Sequence, residues 1–393
     1  MRTAQILLLF LAAVVCSSPL EAAITLRRWS WSAPESPSPF GGDLHYAFGR
    51  DLGAEFGDEI GNVMKSNENL QNTLIPTFVG PNASKEFRDV YETFLVQNNR
   101  TFPRYVSELK GIADGSGVAF SSLFLNQMSE EFSYFISSSK PEIVDEHCTD
   151  VAWGHHLVHN EDEGAFYRNH TVLITAHGLG VRAFTAYTYL GETPTGAFGW
   201  NSNQIAFTMN YVGPSKAFRG GLGRTFVARD LLEANSFDDA VQRAVRLNQC
   251  AGHNYQIASF GHGSPRLANL EVASFGQYAL KDLSDGEQYF HVNQYQLLNI
   301  SQIYSNSSLH RYARITDMLA SRSVESVTDL FSIVGDQHDR QWPVYHDETS
   351  HARGDLSDWT LVTVHMDLIS GSAHFYESNP KTNDPVFTTS MRF

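Results

Sequence analysis

Glu146-His147-Cys148-Thr149-Asp150, with His159-Asn160-Glu161-Asp162 a short way on, is the stretch on which the reading of this chain turns. Only three cysteines occur in 393 residues, and Cys16 falls in an apolar N-terminal run. A lone mid-chain cysteine followed closely by a cluster of titratable groups reads as a nucleophile rather than a staple. The expectation is that the chain cuts itself between His147 and Cys148. The competing reading is a disulfide between Cys148 and Cys250, as an oxidising compartment allows.

Residues 1–23 read as a secretory signal peptide. Arg2 supplies the positive charge, 6–15 is nearly all apolar, and Cys16-Ser17-Ser18 and Ala22-Ala23 supply small residues. That run is shorter than the roughly 20 apolar residues a membrane span needs. No later segment is as apolar, so no membrane insertion is expected after signal removal. The expected location is secreted, or the lumen of a lysosome or other endomembrane compartment. Asn82, Asn99, Asn169, Asn299 and Asn306 begin glycosylation sequons. The formal net charge of −15 argues against nucleic acid and anionic membrane surfaces as partners. It is consistent with attracting cationic amines, and a small molecule is the expected partner.

Two segments follow the signal peptide. Residues 24–147 are read as a helical N-terminal segment, because apolar positions recur at helical spacing in 54–64, 87–96, 105–112 and 120–128. The Ser- and Pro-rich run 32–39 reads as an exposed leader. In 148–393, β-branched and aromatic residues separated by Gly, Asn and Pro predict strands over 149–158, 171–176, 183–190, 204–212, 256–259, 268–272, 288–292, 360–368 and 373–378. Helices are expected over 224–234, after a Ser236 cap, and over 311–319. The fold class is therefore α+β, with helices layered on sheets.

Several stretches carry a resemblance. They are Glu108-Leu-Lys-Gly-Ile-Ala-Asp-Gly-Ser-Gly117, the Cys148-Thr149 junction, His159 to Asp162, 190–201, 224–234, His253-Asn254-Tyr255, Phe290-His291-Val292-Asn293, Ser308-Leu-His-Arg311 and Gly335-Asp336-Gln337. Their order and spacing resemble the acyl-coenzyme A:isopenicillin N acyltransferase family of N-terminal-nucleophile (Ntn) hydrolases. The match is nearest its animal branch, which includes hydrolases of N-β-alanyl-dopamine. The resemblance implies a four-layer αββα sandwich and self-cleavage into a small chain (to His147) and a large chain (from Cys148) that stay associated. It implies an amidohydrolase or acyltransferase acting on small N-acyl, including β-alanyl, amines. His147 departs from the family's usual glycine, and Gln294 stands where the animal branch tends to have histidine.

The chemistry follows from the cleaved state. Cleavage gives Cys148 a free α-amine, whose ordinary pKa of about 7.7–8.0 lets it serve as base to the thiol on the same residue. By the resemblance, Asp162 positions that amine, Asn254 donates to the oxyanion, and Arg311 fixes Asp162 or a substrate carboxylate. No cofactor is expected. His155, His156 and His159 invite a zinc site, but neither His-Glu-x-x-His nor a cysteine pair is present, so no metal is expected. Two other readings stay open: a lipid-amide hydrolase of ceramidase-like type, whose acyl pocket some of the 26 phenylalanines could line, and a non-catalytic secreted glycoprotein, for which His147 is the motive.

Overall fold

The computed structural model describes residues 26–34, 43–136, 148–261, 264–354 and 358–393. The signal-peptide reading and His147, hence the cleavage junction, lie outside the described residues. Among the described residues no helix is long and apolar enough to cross a membrane.

The N-terminal third is helical, as the periodicity requires. α1 (Leu44–Glu55) starts where the Asp43 carboxylate accepts the Tyr46 N–H at 3.1 Å. α2 (Gly57–Ser66), a π-helical stretch (Leu70–Val79), α3 (Lys85–Thr101), α4 (Pro103–Ser116), α5 (Phe120–Gln127) and α6 (Ser129–Ser133) follow. α1 and α4 cross at backbone contact. A Cβ on Gly49 would stand 1.9 Å from the Glu108 carbonyl oxygen, and one on Gly111 2.3 Å from that of Tyr46. The glycines of the Glu108–Gly117 motif thus serve close helix packing. Glu108 itself is buried and takes the Arg229 guanidinium at 3.0 Å and the His45 ring at 3.0 Å. Burial raises its carboxyl pKa, but Arg229 and His45 outweigh that and hold it below the usual value.

Two sheets follow. β1 (Arg28–Ser32), β4 (Thr171–Leu179), β5 (Val181–Tyr189), β6 (Phe198–Asn201), β7 (Ile205–Val212), β8 (Gly252–Ser259), β9 (Arg266–Ala273) and β10 (Gln277–Asp282) form an eight-stranded sheet in that order. β11 (Gln288–His291), β2 (Thr149–Trp153), β3 (His156–Gly164), β12 (Asp358–Asp367), β13 (Ser372–Tyr376) and β14 (Phe387–Ser390) form a six-stranded one. All pairings are antiparallel except β1 with β4. The strand expected over 149–158 is two strands: Gly154, at φ +58°, reverses the chain between them. β1 ends at Ser32, where the expected leader begins, and its Trp31 packs edge-on against Phe48 at 5.3 Å; residues 35–39 of that leader lie outside the described residues.

The layers read off the contacts. On the eight-stranded sheet, Phe48 of α1 meets Phe184 of β5 at 6.5 Å, and α7 (Arg224–Leu231) and α8 (Phe237–Ala244) pack alongside. On the outer face of the six-stranded sheet, α9 (Asn306–Ser321) and α10 (Val327–Val334) bury Ile315, Leu330 and Val334 against Val151 and Val158. Between the sheets, Phe375 of β13 meets Phe198 and Trp200 of β6, at 6.1 and 6.3 Å. This is the four-layer αββα arrangement. Its interlayer is apolar at the β6–β13 end and polar where β2 faces β7.

Candidate active site

Strand alternation sorts the residues around Cys148 onto two faces. Cys148, Asp150, His159 and Glu161 point into the interlayer. Thr149, Asn160 and Asp162 point toward α9 and α10. Both faces are polar and buried.

On the interlayer face, the Cys148 thiol lies 3.8 Å from the Asp162 carbonyl oxygen. Its sulfur, one ring nitrogen of His159 and one carboxylate oxygen of Glu161 lie within 4.8 Å of one another. His159 Nδ1 is 2.9 Å from Asp150 Oδ1, and Nε2 is 2.7 Å from Glu161 Oε2. Burial lowers the imidazole pKa, but the two carboxylates outweigh it and push it up to about 10. The ring is therefore an imidazolium with both N–H groups donating. The Thr208 hydroxyl of β7 donates to Asp150 at 2.8 Å, and the Tyr189 hydroxyl of β5 makes a short hydrogen bond to Glu161. Burial raises the Glu161 pKa; His159 and Tyr189 oppose that rise.

On the helical face, α9 begins at a Ser305 cap and buries Ser307, Arg311 and Ile315 on one stripe. That stripe carries the Arg311 guanidinium, fully buried, beneath β2. It donates to the Cys148 carbonyl oxygen at 2.9 Å, Thr149 Oγ1 at 2.9 Å, Asn293 Oδ1 at 2.6 Å and Ser307 Oγ at 3.0 Å. Arg311 thus holds the backbone of Cys148. Asp162 is also buried. Burial raises its pKa, and His346 and Arg311 oppose this. The Thr360 hydroxyl helps, yet neither Asp162 oxygen completes a well-formed hydrogen bond among the described residues. Asn160 ties β3 to the end of α10 through the Val334 carbonyl at 2.9 Å.

The expected site residues come together unevenly. Cys148, Asp162 and Arg311 share one neighbourhood. Asn254 lies on β8, opposite Asn210, in a polar patch on the eight-stranded sheet. Its amide donates to Asn269 and, at 3.2 Å, to the Leu270 carbonyl, so an oxyanion role requires it to release one of them. Neither Cys148 nor Cys250 is in a disulfide, which removes the disulfide reading. Of these three histidines, His155 approaches Asp285 at 3.6 Å, His156 pairs with His365 at 3.1 Å, and His159 lies beside Cys148. The Cys148–His159–Glu161 trio has the donor types for a metal, but both imidazole nitrogens are engaged by carboxylates. Sequence reasoning passed over Asp150, Thr208 and Tyr189. Asp150 could have been found by strand alternation from Cys148; Tyr189 carries no local signal.

Beside this cluster lies a cavity of about 750 Å³ between α5, α6, the end of β3 and the end of β5. Cys148 does not line it; Tyr189, the hydrogen-bond partner of Glu161, does. The five sequon asparagines (Asn82, Asn99, Asn169, Asn299 and Asn306) are all exposed.

The model of the family described as acyl-coenzyme A:6-aminopenicillanic acid acyl-transferase matches residues 152–382. The chain is similar to the beta-alanyl-dopamine/carcinine hydrolase of Drosophila melanogaster, with 24% identity over 364 residues, 87% of this chain and 92% of that protein. Two variants of the conjugated bile acid hydrolase from Clostridium perfringens align with TM-scores of 0.38 and 0.30, each at 12% identity, covering 62% of this chain and 92% of theirs.

Proposed function

Because the chain belongs to the acyl-coenzyme A:6-aminopenicillanic acid acyl-transferase family, and so is an amide hydrolase or acyltransferase of the Ntn type, we propose that it splits small N-acyl amines through an acyl-enzyme on Cys148. β-Alanyl amines are the substrate class, on the similarity to the fly hydrolase. The observation that carries this reading is a buried Cys148 thiol, in no disulfide, beside His159 and Glu161, with its own carbonyl held by Arg311.

The precursor step comes first. The Cys148 sulfur attacks the His147 carbonyl carbon, the peptide C–N bond breaks as a C–S bond forms, and water hydrolyses the thioester. This leaves a carboxylate on His147 and a free α-amine on Cys148. In turnover that amine takes the thiol proton, and the thiolate attacks the substrate carbonyl. The oxyanion collapses, the substrate amine leaves with a proton, and water frees the acid from the thioester. A second amine in place of water gives acyl transfer.

Each neighbour has a task. Arg311 fixes the Cys148 backbone, so the sulfur needs little reorganisation to attack. The Asp162 carboxylate, on the same side of the strand as Arg311, pairs with the new ammonium. The His159 imidazolium is a fixed positive charge near the thiolate. Asn254 donates to the oxyanion by trading the Leu270 carbonyl for the substrate oxygen. One such donor is typically worth about 2.7–4 kcal/mol of barrier. Export and glycosylation at the five exposed asparagines complete the proposal.

The test is fragment analysis with turnover. Protein made through a secretory pathway should separate on denaturation into two fragments, the larger beginning at Cys148, and should hydrolyse a β-alanyl amine. Cys148→Ala should stay whole and inactive. A Cys148→Ala protein that splits and turns over like wild type overturns the assignment. An intact wild-type chain without turnover points instead to a non-catalytic glycoprotein.

A further inference from the structure

We propose that the cavity beside Tyr189 is a binding subsite for a substrate ammonium group, held by the carboxylates of Glu131, Glu163 and Glu192. The proposal deepens the amide-hydrolase reading and rests on it for the identity of the substrate, though not for the binding itself.

The charge inventory of the cavity is one-sided. Besides the exposed Glu68, its wall carries Glu130, Glu131, Glu163 and Glu192 against a single guanidinium, Arg224. Arg224 is already paired with Glu130. The other three have only neutral donors. Glu131 Oε1 accepts the Arg224 backbone N–H at 2.7 Å. Glu192 Oε1 accepts the Asn126 amide at 3.1 Å and the Tyr167 hydroxyl at 3.3 Å, and Glu163 Oε1 accepts the Gly164 N–H at 2.8 Å. Glu131 is 1% exposed, and its Oε2 has no hydrogen-bond partner among the described residues. A buried acceptor left without a donor is costly unless a ligand supplies one.

Burial of this group of carboxylates disfavours their charged forms. The pKa of Glu131 and of Glu163 is pushed up to about 7, and that of Glu192 to about 8, where Glu163, Glu131 and Glu161 add to the rise. The three carboxylates therefore hold protons near neutral pH. An entering ammonium supplies both the missing charge and three N–H donors, and it displaces protons as it binds.

Position links the subsite to the chemistry. Tyr189 lines the cavity and bonds to Glu161, whose carboxylate lies within 4.8 Å of the Cys148 sulfur. In the proposal a small amide places its terminal ammonium in the cavity and its carbonyl near the thiol.

Two measurements on the full protein test this. Calorimetric titration compares 3-aminopropanol with 1-butanol, a neutral probe of the same length. The ammonium probe should bind with proton release at pH 7, seen as heat that varies with the buffer's ionisation enthalpy, and the alcohol should not. Glu131→Gln and Glu192→Gln should each weaken the ammonium probe about tenfold or more, with folding checked by circular dichroism. In turnover, the kcat/KM ratio of a β-alanyl amide to its butanoyl counterpart should fall by a similar factor in either variant. Equal binding of the two probes, or variants that leave both readouts unmoved, overturns the subsite. If the ammonium probe binds as stated but no amide is cleaved, the subsite stands and the hydrolase reading fails.

Discussion

The guanidinium of Arg311 donates to the carbonyl oxygen of Cys148 at 2.9 Å, from a helix that starts 158 residues further along the chain. This contact fixes the backbone of Cys148 from the face opposite its sulfur. Arg311→Lys keeps the charge but loses the fork that reaches Cys148, Thr149 and Asn293 together. It should lower kcat/KM about a hundredfold and slow appearance of the two fragments, with KM moving less than kcat. Steady-state kinetics on the processed protein and a time course of cleavage check both.

His159 should make stability pH-dependent in a specific window. Its folded pKa of about 10 exceeds the unfolded value of about 6.5. Its proton is therefore bound more tightly in the native state. The stabilisation is complete below pH 6.5 and is lost as pH rises toward 10. Urea midpoints measured from pH 6 to 10 should fall for wild type and fall less steeply for His159→Gln. At pH 7 that variant should be less stable by about 3–5 kcal/mol, because it leaves two buried carboxylates without their cation.

The cavity carboxylates carry the opposite consequence for binding. Raised pKa values mean that Glu131, Glu163 and Glu192 gain charge only as pH climbs through about 7 to 8. Of the groups facing them, Glu130 and Arg224 offset each other, Glu161 adds negative charge, and Tyr167 and Tyr189 stay neutral, their phenols held above the ordinary value by burial. KM for a β-alanyl amide should therefore drop between pH 6 and 8. KM for its butanoyl analogue should not, and the comparison is read from pH–KM profiles.

Gly111 should tolerate no side chain. A Cβ there would meet the Tyr46 carbonyl at 2.3 Å and the Arg50 nitrogen at 2.7 Å, both rigid backbone in α1. Gly111→Ala should destabilise the protein by about 1–3 kcal/mol. Thermal denaturation reads the shift, and Gly61→Ala, where nothing lies within 4 Å, serves as the neutral control.

Where the local pattern was strong, the sequence was readable. The stripe of Arg311 and Ile315 on α9 follows from spacing, and Ser236 caps α8 as its position suggests, accepting the Asp239 N–H at 3.1 Å. β1, β6, β10 and β14 went unseen for physical reasons. β10 (Gln-Tyr-Ala-Leu-Lys-Asp) and β14 (Phe-Thr-Thr-Ser) are edge strands in which no residue is fully buried, so their apolar signal is weak. β6 is four residues inside a glycine-rich segment, and β1 pairs with a strand about 140 residues away. The π-helical stretch accommodates Pro76, which ordinarily argues against a helix interior.

Local chemistry and spacing, with the family resemblance they support, determined the α+β class, the change from helices to strands at Cys148, and the choice of that cysteine. These depend on residue type and short-range periodicity, which a linear chain displays openly. Only the tertiary structure decided that Arg311 grips the Cys148 backbone, that His159 sits between Asp150 and Glu161, and that three glutamates share one cavity with no free cation among the described residues. Those facts arise from packing two sheets and two helical layers face to face. Residues far apart in the chain become neighbours there, and burial rather than identity sets which groups are charged.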